Sequence, residues 1–423
     1  MIKRTTLDNG LPVVCEHIPY VRSVSIGFWV ACGSRNETEQ EQGISHLIEH
    51  MAFKGTKSRS AREIAEMIDA VGGHLNAFTT KEYTCFYVKL LDQHFRLGLD
   101  LLADLIINPV FSPEELEKEK NVVLEEIKMY EDSPDELVFE LFTQALLKDH
   151  PLGHSILGTP ESIKHLDREA LFKYKERYYT PDNSCLAIAG NFDFDGIIEE
   201  SNHFWHKLTG RCQTAQEQPL KMQDEDYLRY KKTEQVHLCL GTPGFSRHDP
   251  NRYALVVLNN ILGGSSSSRL FQSLREERGL VYVTNSYYSA FRDLGLFSIY
   301  AGTSLRHYEE VLTLIRKELF SLQENPVPAE ELNRVKEQIK GNMWLGLENT
   351  NNRMSRLAKC ELFYGRYISP EEELAQIEQV SSEDLQRIAR MLFTPDQLTL
   401  AAIGPFKKAE TASGPLAGQV KPV

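Results

Sequence analysis

His46, Glu49 and His50 stand within Ser45-His-Leu-Ile-Glu-His-Met51, a segment whose remaining side chains are mostly apolar, as in a helix buried on most sides. At 3.6 residues per turn the three fall within about 100° of one another, so two imidazoles and one carboxylate share a face. Imidazoles at i and i+4 can reach one tetrahedral ion. The carboxylate one position before the second histidine is placed to take a proton from water at the ion's open position. Composition alone yields roughly 0.06 matches of the His-x-x-acid-His kind in a chain of this make-up, so the motif favours a metal over ordinary polar helix residues.

A catalytic zinc needs a third protein ligand. The helix predicted over Leu116 to Tyr130 offers one by its own period. Leu116, Val122, Val123, Ile127 and Tyr130 form the expected apolar stripe, with Glu119 and Glu126 inside it, two turns apart, while Glu117, Lys118, Glu125 and Lys128 point elsewhere. A carboxylate on a buried face is costly unless a cation compensates it. Periodicity leaves Glu126 open between a ligand and a buried acid with another partner, whereas Glu125 reads as a solvated helix charge.

The elements that must position these residues come twice. Asn108-Pro-Val-Phe-Ser-Pro-Glu-Glu-Leu116 recurs as Asn325-Pro-Val-Pro-Ala-Glu-Glu-Leu332, and Thr180-Pro-Asp-Asn recurs as Thr394-Pro-Asp-Gln, each of the latter leading into an apolar run. Two landmarks in the same order at offsets of 217 and 214 point to two homologous domains, at 1–212 and 226–423, joined by a linker at 213–225. In the first, Leu11 to His17 and Val24 to Ala31 read as strands. Helices follow at Ile44 to Phe53 and Ala61 to Val71, a hairpin at His74 to Leu91, and long helices over Gln93 to Ile107, Pro113 to Tyr130 and Pro134 to Lys148. The fold class is therefore α+β, each domain an antiparallel sheet packed with helices and the pair related by internal duplication. Overlaying Ser45 to Gly55 on Ala254 to Gly264 puts Leu255, Leu258 and Asn259 where His46, Glu49 and His50 stand, and the region matching Glu126 carries Gln338 or Asn342. One copy has the metal set and the other lacks it, as when one half does the chemistry and the other shapes the cleft.

The formal net charge of −13 disfavours a nucleic-acid binder, which needs a basic face. Neither a signal-peptide core nor a run approaching about 18 apolar residues is found, so a cytoplasmic protein without membrane attachment is expected. The seven cysteines are scattered, odd in number and nowhere in a Cys-x-x-Cys pair, which fits free thiols in a reducing compartment.

With these residues in view, the chain resembles the inverzincin peptidases: pitrilysin, the insulin-degrading enzymes and the mitochondrial processing peptidases. His46-x-x-Glu49-His50 followed by Glu126 looks like their metal motif, in which the third ligand lies 76 or so residues beyond the second histidine, and Glu126 follows His50 by 76. The resemblance implies about one Zn²⁺ per chain on His46, His50 and Glu126, with Glu49 as general base and Glu119 as the supporting carboxylate. Arg275 and Tyr282, seven apart, resemble the pair that holds substrate carbonyls or the oxyanion, a task suited to two hydrogen-bond donors. Asn76, Ala77 and Phe78 lie on what resembles the edge strand that receives an extended peptide. Glu136 and Glu140, one helical turn apart, occupy positions similar to the acidic residues that bind a basic side chain in processing peptidases.

Gly263-Gly-Ser-Ser-Ser-Ser268 lacks the Gly-Lys-Ser/Thr ending of a phosphate loop and resembles the family's flexible loop near the cleft. Because long members carry four such domains and this chain two, the resemblance also implies a dimer of identical chains around a peptide substrate. The expected function is a zinc endopeptidase acting on unfolded or presequence-like peptides. Two alternatives are a non-catalytic assembly subunit of the same fold and a half-competent partner that needs a paralogue.

Overall fold

The computed structural model describes residues 1–147, 150–213 and 226–406. The first half runs β1 (Ile2–Thr6), β2 (Pro12–His17), β3 (Ser23–Val30), α1 (Ile44–Ala52), α2 (Ala61–Asp69), β4 (His74–Thr79), β5 (Thr84–Leu91), α3 (Phe95–Ile107), α4 (Pro113–Asp132), α5 (Pro134–Leu146), α6 (Pro160–His165), α7 (Arg168–Tyr178), β6 (Ser184–Gly190) and α8 (Phe194–Trp205). The second runs β7 (Tyr227–Tyr230), β8 (Val236–Gly244), α9 (Arg252–Gly263), β9 (Val281–Ala290), β10 (Gly295–Thr303), α10 (Tyr308–Glu324), α11 (Ala329–Gly346), α12 (Thr350–Tyr364), α13 (Pro370–Gln379), α14 (Ser382–Leu392) and β11 (Thr399–Gly404). The elements expected between residues 11 and 148 all form. The strand β1 was not anticipated, since its alternation is interrupted by Lys3 and Arg4.

Two sheets result, ordered β1-β2-β6-β3-β5-β4 and β7-β11-β8-β10-β9. Leaving out β1, the orders superimpose strand for strand, so the duplication read from short motifs is a duplication of topology. The central strand of the first sheet, β3, is Ser-Val-Ser-Ile-Gly-Phe-Trp-Val and is buried almost throughout, as a strand covered on both faces must be. The sheets are not wholly antiparallel, as expected, but mixed: β2 pairs β6 and β7 pairs β11 in parallel. Each of those partners returns after a long helical excursion, which permits either direction, and a fully buried apolar run such as Ser184–Gly190 carries no signal for which. The repeat extends to a buried cation: Lys120 Nζ reaches Lys164 O (3.4 Å) and Lys336 Nζ reaches Glu378 O (2.7 Å), each a carbonyl in the last turn of a helix.

The compact units are not the contiguous halves 1–212 and 226–423 that the repeat suggested. One contains 1–128, 154–213 and 345–368, and the other 129–147, 150–153, 226–344 and 369–406. The linker expected at 213–225 lies, apart from Gln213, outside the described residues. The difference arises because each unit covers its sheet with a helix from the other half of the sequence. In the first unit, α12 lies on β2, β3 and β6. Trp29 Nε1 donates to Met354 Sδ (3.1 Å), Ser25 Oγ lies 2.9 Å from Thr350 Oγ1, and Leu357 and Ala358 are buried with Trp29, Cys85 and Cys185. In the second, Leu137, Val138, Leu141 and Phe142 of α5 are buried against Cys239, Leu296, Ala401 and Ile403.

That second contact requires Gly241. A Cβ there would sit 2.1 Å from Phe297 O and 2.6 Å from Phe142 Cζ, and the first of these is backbone that cannot move aside alone. Gly241→Ala is expected to cost about 1–3 kcal/mol by urea unfolding. An unchanged midpoint would show that β8, β10 and α5 have slack at this point. Among the described residues no helix is long and apolar enough to cross a membrane, and no cysteine is paired.

Candidate metal centre

In α1, Ile44, Leu47, Ile48 and Met51 face the core of the first unit, which leaves His46, Glu49 and His50 on its partly open side. The stripe of α4 that faces the core is Leu116, Glu119, Lys120 and Val123. The expected stripe was too wide: Val122 and Tyr130 are exposed, while Glu126 and Ile127 are half-buried. A stripe spaced 116, 119/120, 123 and 127 keeps one face of the helix, and Val122 falls about a sixth of a turn outside it. Glu117, Lys118, Glu125 and Lys128 are exposed, as expected.

His46, His50 and Glu126 each bring one donor atom within 4.8 Å of the other two. His46 Nε2 is 3.8 Å from Glu126 Oε2, and His50 Nε2 is 3.7 Å from Glu126 Oε1. Two ligands about 2.0–2.1 Å from one tetrahedral zinc stand about 3.4 Å apart, so the observed spacings are slightly wider than a loaded site requires. Glu126 Oε2 is buried without a hydrogen-bond partner. A carboxylate oxygen in that state is costly alone and satisfied by a cation, so the donor set fits a zinc ion. Burial, with His50 nearby, lowers the His46 imidazole to about 4, which keeps its ring neutral and able to ligate at physiological pH.

Around these donors sit residues that orient them. Glu119, 5% exposed, places Oε2 3.1 Å from His50 Nδ1, which fixes that ring with Nε2 turned to Glu126. Its other oxygen is 2.6 Å from Lys54 Nζ. Glu49 is outside the donor set and accepts from Thr79 Oγ1 at 2.6 Å. Burial raises its carboxyl above the usual range, the Thr79 hydroxyl pulls it back, and the charge of Glu126 adds to the rise. Thr79→Val is therefore expected to move the acid limb of kcat/KM upward, because the carboxylate loses a charge-assisted hydrogen bond. A pH–rate profile with an unmoved limb would remove Thr79 from the site. Nothing in the local sequence pattern links Lys54 to Glu119 or Thr79 to Glu49.

Asn76, Ala77 and Phe78 lie on β4, which is the edge of its sheet. Thr80 N–H donates to Tyr83 O across the turn. By antiparallel alternation Phe78 and Asn76 then bond to β5, and Leu75, Ala77 and Thr79 turn their backbone groups to the open side. The Asn76 side chain accepts from the Ala77 N–H (2.8 Å), and the Thr79 N–H is directed to Glu49.

Arg275, Tyr282, Glu136 and Glu140 all belong to the second unit. Arg275 sits on a π-helical turn, Phe271–Glu276, with its guanidinium carbon 4.7 Å from the Phe271 ring centre and 5.3 Å from that of Tyr282. Tyr282 is 72% exposed. Glu136 is exposed and Glu140 half-buried, on α5. In α9, Leu255 and Leu258 are buried, and Asn342 lies on α11 as Glu126 lies on α4.

The model of the insulinase domain, peptidase family M16, matches residues 12–160, and that of the M16 inactive domain matches 165–339. The chain belongs to peptidase family M16. This M16 chain is 46% identical over 407 residues to an uncharacterized zinc protease of Bacillus subtilis, covering 96% of this chain and 98% of that one. It is 38% identical to an uncharacterized zinc protease of Streptomyces coelicolor, covering 97% and 91%. Among solved structures, an M16 inactive domain from Pseudomonas fluorescens shares the fold at TM-score 0.89 and 20% identity, covering 96% of this chain and 98% of that one. A protease from Helicobacter pylori does so at 0.88 and 23%, covering 96% and 99%. The inactive-domain match covers most of the second half, where the internal repeat has no metal donors.

Proposed function

We propose that the chain is a zinc metalloendopeptidase that hydrolyses unfolded peptides or presequence-like segments. The observation that carries this reading is the convergence of His46, His50 and Glu126, with Glu49 beside them but outside the donor set. The zinc-protease names of the relatives support the same reaction. A zinc ion on the three donors supplies Lewis acidity for the scissile carbonyl and for the attacking water. Glu49 accepts the proton of that water and then returns it to the leaving amine. Burial raises its affinity for a proton and the Thr79 hydroxyl orients it, both of which suit a group that must do each in turn. Glu119 holds the His50 ring, and Lys54 holds Glu119.

An extended substrate is expected to add to the outer side of β4 through the Leu75 N–H and the outward carbonyls of Leu75 and Ala77, with the Asn76 side chain giving up the Ala77 N–H. Pairing of that kind selects unfolded chains over folded ones. Arg275 and Tyr282 are proposed as donors to the substrate carbonyl or oxyanion, and Glu136 and Glu140 as a clamp for one basic side chain. A homodimer in the cytoplasm is the proposed assembly and place. The competing reading, a non-catalytic assembly subunit, predicts a damaged ligand set, and no ligand is damaged here. The test is zinc content together with cleavage of a quenched basic peptide. About one zinc per chain with cleavage that a chelator abolishes supports the peptidase, whereas a metal-free, inactive protein supports the assembly subunit.

A further inference from the structure

The two histidines of α1 are held differently. His50 is fixed through Nδ1 by Glu119. His46 Nδ1 is buried and has no hydrogen-bond partner, so its ring is placed by edge-on packing against His50 (centroids 4.5 Å apart) and by the backbone that carries it. That backbone is the first turn of α1, and its N-cap is Gly43 at φ 87°, which has no side chain to cap the helix. The cap comes from outside. Glu37, 4% exposed, accepts from the Gly43 N–H through one carboxylate oxygen (2.8 Å) and from the Ser45 N–H through the other (2.9 Å). Ser45 Oγ lies 2.9 Å from the Tyr174 hydroxyl of α7, which also accepts from the Cys32 thiol (3.1 Å). The residue directly before His46 is thus tied by its backbone to Glu37 and by its side chain to α7.

Other helices of the first unit are capped from within: Ser60, Thr159 and Asp167 each accept from the N–H three residues on. The catalytic helix instead takes a bidentate carboxylate from six and eight residues upstream. Burial pushes the Glu37 carboxyl up to about 7, and the two N–H groups at the positive end of the helix pull it back toward the charged form.

We propose that Glu37 is a positioning residue of the metal centre, fixing the first turn of α1 and with it His46, the one ligand histidine that no hydrogen bond orients. The inference rests on the zinc reading above. The test measures zinc dissociation by competition with a chromogenic chelator, alongside thermal unfolding of the metal-free protein, for wild type, Glu37→Gln and Glu37→Ala. All are compared at a temperature where circular dichroism shows each variant folded. Glu37→Ala is expected to bind zinc about tenfold or more weakly. Glu37→Gln keeps an acceptor for only one of the two N–H groups and is expected to fall between, so the test stands on it if the alanine variant does not fold. A purely structural cap would lower the melting temperature of both variants and leave their zinc dissociation constants at the wild-type value, and that result overturns the inference. A wild type that takes up no zinc overturns the zinc reading itself, and the positioning role with it.

Discussion

Glu49→Gln is expected to reduce kcat/KM by about 10³-fold while leaving zinc content unchanged. The side chain is the same size, and its amide oxygen can still accept from the Thr79 hydroxyl, so the local fold has no reason to move. The amide cannot take a proton from water, and the residue contributes no atom to the His46/His50/Glu126 donor set. Metal analysis beside steady-state kinetics separates the possibilities. Loss of metal together with activity would make Glu49 a support for the ligands rather than a base. Retained turnover would place the base elsewhere and sink the mechanism proposed above.

Glu126→Gln should weaken zinc binding by more than about a hundredfold, since loss of an outer partner alone costs about 10–100-fold. The substitution removes the negative charge between the two imidazoles, whose Nε2 atoms lie 3.8 and 3.7 Å from its oxygens. Glu119→Gln is the appropriate comparison. It sits two turns earlier on the same helix, touches His50 on the far side of the ring, and should cost only the outer-partner amount. The difference between the two variants isolates ligation from damage to α4. Equal zinc affinity in wild type and Glu126→Gln would mean that the third ligand lies elsewhere in the chain.

The shared face of His46, Glu49 and His50 is legible in the sequence because a helix converts their spacing into one, with no tertiary information needed. Glu126 was only half legible. Periodicity puts it near the core face of α4, but that stripe is narrower than the apolar residues suggest: Val122 and Tyr130 are exposed, and the polar Glu119 and Lys120 are the buried ones. Choosing Glu126 over other acids needed the family's spacing. Thr79, Lys54 and Glu37 were not legible, because each acts across a turn or between separate elements, where no period connects donor to acceptor. The same limit applied to topology. Repeated motifs identify which segments correspond, and they carry no information on which sheet a helix will cover, so the repeat alone does not place α5 and α12.

The exchange of those two helices has a consequence for how the chain matures during synthesis. All strands of the first sheet have been made once Gly190 has been added, yet the face carrying Trp29, Cys85 and Cys185 is covered by residues of α12, which begins at Thr350. At about 5–20 residues per second, a ribosome needs on the order of ten seconds or more to supply that helix. During that interval the nascent first unit holds its histidines and Glu126 but bares an apolar sheet face, the kind of surface chaperones recognise. Completion of the half that carries the candidate metal donors is thereby tied to translation of the half whose repeat lacks them.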